Sequence, residues 1–238
     1  MSDATFDAAR VQRFVAVGDS QTEGLHDYGN EGIPRGWADR FAERLSARNP
    51  ELLYANLAVR GKRTSEVRRE QLGAALDLAP DLATVVAGVN DVVRPRADID
   101  EAARELETMY RALASSGCLV MGCTFPLPST GLTRRAAPRL QSLNVSIRAA
   151  AERHGVLLVE MEDVPMASDL RLWSADRVHL NPDGHCRLAA AFEGTLAGAG
   201  VAPSMEPLPP GPELPWPPDS WWEKRRGSSG SCFRRRFG

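Results

Sequence analysis

The chain has 238 residues, 43% of them hydrophobic and 25% charged, with a formal net charge of −2. That balance is ordinary for a globular protein and leaves room for one α/β domain with a sizeable core. It gives no global field toward nucleic acid, and no apolar run approaches the roughly 20 residues of a membrane span.

Residues 1–11 read as an N-terminal arm. Met1-Ser2-Asp3-Ala4 is polar, so no secretory signal is expected. Short, nearly continuous apolar runs predict buried strands at Arg13–Val17, Leu52–Leu57, Leu82–Ala87, Leu119–Thr124 and Val156–Glu160. Helical patterns fall between and after them. Gly36–Asn49 repeats Trp37, Phe41 and Leu45 at four-residue spacing, and Ser65–Leu78 opens on a possible cap. Asp98–Ser115 starts with acids and carries Ile99, Ala102, Leu106, Met109 and Leu113 on one stripe. Pro138–His154 and Pro182–Gly198 complete the set. Strands alternating with helices predict an α/β fold, a three-layer α/β/α sandwich around a five-stranded parallel sheet over residues 12–200.

From about Ala202 the composition changes. Eight prolines fall between Pro203 and Pro218, with Trp216, Trp221 and Trp222 in or beside them. Such proline density suits neither helix nor central strand. Residues 224–238 add six basic side chains and no acid, which leaves 23 basic against 31 acidic upstream. Residues 201–238 are therefore expected to be a partly disordered tail. Its arginines read as a solvated charged end or as an attraction for acidic surfaces, and its tryptophans as a cover for the domain or a contact for a partner. Cys118, Cys123, Cys186 and Cys232 form no CxxC pair. They are expected as free thiols in a reducing cytoplasm.

Ligands of open parallel sheets bind beyond the carboxyl ends of the strands. Four segments of this chain fall there. Gly18-Asp19-Ser20-Gln21-Thr22-Glu23-Gly24 follows the first strand, and the loop holding Gly61 follows the second. Gly88-Val89-Asn90-Asp91 follows the third, and Asp176-Arg177-Val178-His179 comes after the fifth. Topology alone thus gathers a hydroxyl, a glycine amide, a carboxamide and an acid–imidazole pair at one edge.

With these four blocks in this order, residues 12–198 resemble the SGNH hydrolases, or GDSL-type esterases and lipases. Gln21 stands where the family name implies leucine. The resemblance implies a flavodoxin-like doubly wound fold and hydrolysis of carboxylic esters through an acyl intermediate on Ser20. It implies Ser20 as nucleophile, His179 as base and then acid, and Asp176 as the carboxylate orienting His179. It also implies an oxyanion hole built from the Ser20 N–H, the Gly61 N–H and the Asn90 side chain. The Gly-x-Ser-x-Gly elbow of α/β-hydrolases is absent. No metal or organic cofactor is called for. The expected partner is a small-molecule ester, without nucleic acid or integral membrane contact.

Each residue also has a plainer reading. Ser20 could cap a helix after the first strand, Asn90 could cap a turn, and Asp19 and Asp91 read as structural hydrogen-bonding groups. His185 competes with His179 for the base but reads as structural. His26 could line the mouth of the site, and His154 reads as a surface partner of a helix end. Asp176, His179, Asp183 and His185 do not reproduce a zinc spacing. Trp37 is expected in the core, and Trp173 either in the core or lining an acyl pocket. Leu25–Pro34, Arg94–Asp98 and Phe125–Arg135 are the loops expected to shape the pocket. An acyltransferase or thioesterase would use the same site, and a non-catalytic protein would work through its tail.

Overall fold

The computed structural model describes residues 11–198 apart from 30, 31, 95, 97, 128–135, 163 and 165–168. The tail 201–238 with Cys232, residues 1–10 of the arm and most of the Phe125–Arg135 loop lie outside the described residues.

All five predicted strands are present and parallel: β1 (Arg13–Gly18), β2 (Leu53–Asn56), β3 (Leu82–Val86), β4 (Leu119–Cys123) and β5 (Leu157–Val159). Their order is β2-β1-β3-β4-β5. This is the flavodoxin-like arrangement, in which the chain reverses its direction of winding between β1 and β3 and leaves a crevice there. Register pairs Gly18 with Val86, so β1 and β3 end side by side at that crevice. The predicted ends of β2, β3, β4 and β5 are trimmed by one or two residues, because the terminal residues turn into loops where ladder partners stop.

The helices are α1 (Ser20–Glu23), α2 (Trp37–Ser46), α3 (Thr64–Asp77), α4 (Val89–Val92), α5 (Ile99–Ser115), α6 (Ala137–His154) and α7 (Pro182–Leu196). The one-turn helices α1 and α4 are too short to show periodicity and carry the motif residues themselves. α2 packs on α7 in one layer, while α3, α5 and α6 line up in the other. Asp98 caps α5 by accepting from the Glu101 N–H at 2.8 Å, and Asn181 caps α7 by accepting from Gly184 at 3.0 Å.

β1 and β3 are buried almost end to end, as their unbroken apolar runs require. Trp37 is fully buried and stacks on Phe192 of α7, with ring centroids 4.1 Å apart. Phe14 of β1 lies against Phe41 at 5.3 Å and Tyr54 at 5.1 Å, tying the sheet to α2. Cys118 and Cys123 are buried free thiols, and Cys186 is exposed.

Candidate active site

Ser20 opens α1 directly above the end of β1. The residue that caps this helix is Asp19, not Ser20: its Oδ1 accepts from the Gln21 N–H at 3.2 Å. The Ser20 hydroxyl is thereby left for other partners. The strand before it is braced from α3, where buried Gln71 accepts from the Gly18 N–H and donates to the Gly18 carbonyl, both at 2.9 Å. Gly24 ends α1 with φ 91°, and a Cβ there would lie 2.3 Å from the nitrogen of Gly36. Glycine at both positions lets α1 sit against the start of α2.

The loop from Trp173 to Leu180 arrives from the far end of the sequence and closes on itself through a Trp173–Leu180 bridge. It brings His179 Nε2 to 2.7 Å from Ser20 Oγ and His179 Nδ1 to 2.7 Å from Asp176 Oδ2. Asp176 Oδ1 accepts from the backbone N–H groups of Val178 and His179, both at 3.0 Å. Burial pushes the Asp176 carboxyl up. The His179 ring and these N–H groups outweigh that and hold it well below the usual carboxylate range. An ionised carboxylate only accepts, so His179 carries its proton on Nδ1, and Nε2 is the acceptor for the Ser20 O–H.

Gln21 also shapes this loop. Its amide donates to the Val178 carbonyl at 2.6 Å and accepts from the Leu180 N–H at 3.4 Å, so it grips both neighbours of His179. An amide can do this and a leucine cannot.

The loops after β2 and β3 meet each other through Asn90 and Asp91. Gly61 has φ 77°, a backbone region that favours glycine, and open space around it. Asn90 lies within α4 rather than capping a turn. Its Nδ2 donates to the Lys62 carbonyl at 3.0 Å and to Asp19 Oδ2 at 3.2 Å. Asp91 accepts from the Thr64 N–H at 3.0 Å and the Thr64 hydroxyl at 3.1 Å, tying α4 to the start of α3. Arg60 and Glu23 pair across α1 and this loop. Asp19 is buried beneath the group. Burial pushes its pKa up to about 6, against hydrogen bonds from the Gln21 and Gly88 backbone.

The other histidines divide clearly. His185 is buried; Nδ1 accepts from the Trp37 N–H at 3.1 Å, and Nε2 donates to the Leu25 carbonyl at 3.3 Å. Burial pulls its pKa down to about 4, in keeping with a structural role. His154 pairs with Glu107 at 3.1 Å. His26 does more than line a mouth: its Nε2 lies 3.2 Å from Asp176 Oδ2. His26 and His179 thus both meet one oxygen of the Asp176 carboxylate. Trp173 joins Val86, Cys123, Phe125, Met161 and Leu172 around an apolar cavity of about 50 Å³ beside Gln21.

The model of the GDSL-like lipase/acylhydrolase family matches residues 16–187, from β1 into α7. The chain belongs to that family. This acylhydrolase is therefore an ester-cleaving enzyme. Among solved structures it is similar to LAE5, an α/β hydrolase enzyme from the metagenome of Lake Arreo, at 22% identity and TM-score 0.68, over 82% of this chain and 99% of that one. It is also similar to a lipase/acylhydrolase from Enterococcus faecalis, at 22% identity and TM-score 0.66, over 79% and 96%. A third similar structure is a variant of an acetyl xylan esterase from Geobacillus stearothermophilus, at 19% identity and TM-score 0.64, over 78% and 94%. No curated protein matches the chain. Among the described residues of this acylhydrolase, no helix is long and apolar enough to cross a membrane.

Proposed function

We propose that this acylhydrolase cleaves carboxylic esters of small molecules through an acyl intermediate on Ser20. The observation that carries the reading is the continuous relay Ser20–His179–Asp176, with both hydrogen bonds at 2.7 Å. A serine hydroxyl is too weak an acid to attack an ester at neutral pH unless a base takes its proton. His179 Nε2 is the base. Oγ bonds to the acyl carbon as its proton moves to Nε2. That proton then passes to the leaving alcohol as the ester C–O bond breaks. Water repeats the sequence and releases the acid. Asp176 fixes the tautomer and stabilises the imidazolium. The Ser20 and Gly61 N–H groups and the Asn90 amide serve the oxyanion, with Asn90 exchanging a present acceptor for the developing charge.

The apolar cavity beside Gln21 suits a small apolar substituent of the ester. An acyltransferase or thioesterase would share the relay. Added alcohols that compete with water for the acyl group would reveal transfer as new ester.

The test is ester hydrolysis and fluorophosphonate labelling of wild type and Ser20→Ala. The variant is expected to lose on the order of 10⁴-fold or more in kcat and all labelling. Equal hydrolysis by both proteins would remove Ser20 from the mechanism.

A further inference from the structure

His26 is the residue of this rim that no motif announces. It sits in the turn after α1 with φ 71°, a left-handed conformation unusual for a side chain of its size. Both neighbours are pinned. The Leu25 carbonyl accepts from His185, and Asp27 is held by Arg40 at 2.7 Å and 3.1 Å. The turn therefore presents the His26 ring in a set direction, toward Asp176.

Asp176 Oδ2 takes two imidazoles, His179 at 2.7 Å and His26 at 3.2 Å, and the two ring centroids are 5.4 Å apart. The His26 side chain is 38% exposed, against 12% for His179 and 2% for Asp176. It faces solvent while touching the buried carboxylate.

We infer that His26 is a positioning residue that shares the Asp176 carboxylate with His179 and extends the working range of the enzyme toward acid. This rests on the reading of His179 as base. A second donor on Oδ2 draws electron density from the bond that His179 makes there. Once His26 is cationic, it disfavours a second proton on the adjacent ring. Both effects keep His179 available as a base at lower pH than a carboxylate serving one imidazole would allow.

The charged and titratable groups around His26 support this assignment. On its own turn, Asp27 is neutralised by Arg40 of α2. From the Trp173–Leu180 loop come Asp176 and His179, together with Arg177, whose Nη1 donates to the Leu170 carbonyl. From α7 comes His185, whose ring is bound to the Trp37 N–H and the Leu25 carbonyl. From α1, Glu23 pairs with Arg60. Among the described residues, the carboxylate in contact with His26 is that of Asp176.

The experiment measures kcat/KM for p-nitrophenyl acetate from pH 4.5 to 9, with active sites counted by fluorophosphonate labelling. Wild type is compared with His26→Asn, which tolerates the left-handed backbone, and His26→Gln, a neutral donor of similar reach. In His26→Asn the acid limb is expected to move up by about one pH unit, a roughly tenfold loss below the midpoint. In His26→Gln, where the donor stays and the charge goes, it moves up by no more than that. Profiles that superimpose on wild type after scaling by a constant, or that shift toward acid, would overturn the inference and leave the base assignment standing. A wild-type profile flat from pH 5 to 8 would instead overturn the base itself, and this inference with it.

Discussion

At the scale of single residues, the site is a set of small side chains each committed to several bonds. Asn90 shows this best: one amide joins the loop after β2 to the buried Asp19 beneath Ser20. If Asn90 serves the oxyanion, its contribution belongs to the transition state rather than to substrate binding. Asn90→Ala is expected to lower kcat by about 10² to 10³-fold with KM little changed. A rise in KM at constant kcat would assign Asn90 to ground-state binding instead. The meeting of Ser20, His179 and Asp176, with Asn90 bonded to the neighbouring Asp19, was legible in the sequence, because each stands in a motif at a strand end or a helix start. Gln21 and Gln71 were not legible as site-shaping residues, and His26 was legible only as a residue that could line the mouth of the site, not as a partner of Asp176. Their partners are 157, 53 and 150 positions away, and a lone polar residue gives no hint of which distant group it will meet.

At the scale of elements, the one-turn helix α1 makes the position of Ser20 possible, and it is held almost wholly by contacts outside itself. Asn56 of β2 donates to the Thr22 carbonyl at 2.9 Å, Glu23 pairs with Arg60, and Gly24 abuts Gly36. Gly24→Ala would add both a left-handed penalty and a backbone clash across that contact. It is expected to cost at least about 2 kcal/mol of stability and to reduce Ser20 labelling at temperatures where the wild type is fully active. Labelling and unfolding midpoint unchanged from wild type would show that α1 does not need the close approach. The long helices were readable from their apolar stripes, whereas α1 and α4 span too few residues to repeat a period.

At the scale of the whole molecule, two buried titratable groups make stability depend on pH in opposite directions. His185 takes its proton at about pH 4 when folded, burial being the main cause, against 6.5 ordinarily. Between pH 6.5 and 4 the unfolded chain therefore binds a proton that the folded chain refuses. Stability falls as pH drops through that window, by up to about 3 kcal/mol. Asp19 holds its proton up to about pH 6 when folded, against 3.8 ordinarily. Its burial costs stability above that pH, and the cost is relieved on acidification toward 3.8. His185→Gln removes the first effect and leaves the second. Urea unfolding at pH 7.5 and 4.5 is expected to show the variant losing about 1 to 3 kcal/mol less than wild type on acidification. Parallel losses in the two proteins would mean that His185 is not the acid-sensitive tie between α7, α2 and the α1 turn.

What the sequence determined by itself was the layered α/β architecture, since apolar strands alternating with striped helices can bury their faces in few other ways. It also determined which edge of the sheet would gather the motif residues, because a parallel sheet delivers every strand end to the same side. The tertiary structure alone decided how that edge is wired. It placed Asp19 rather than Ser20 as the cap, gave Gln21 the loop on both sides of His179, and brought His26 to the same Asp176 oxygen that His179 uses. The physical reason is range. Hydrophobic periodicity is written along consecutive residues, whereas a hydrogen bond between loops depends on ångström-level placement that appears only once the core has set the distances between them.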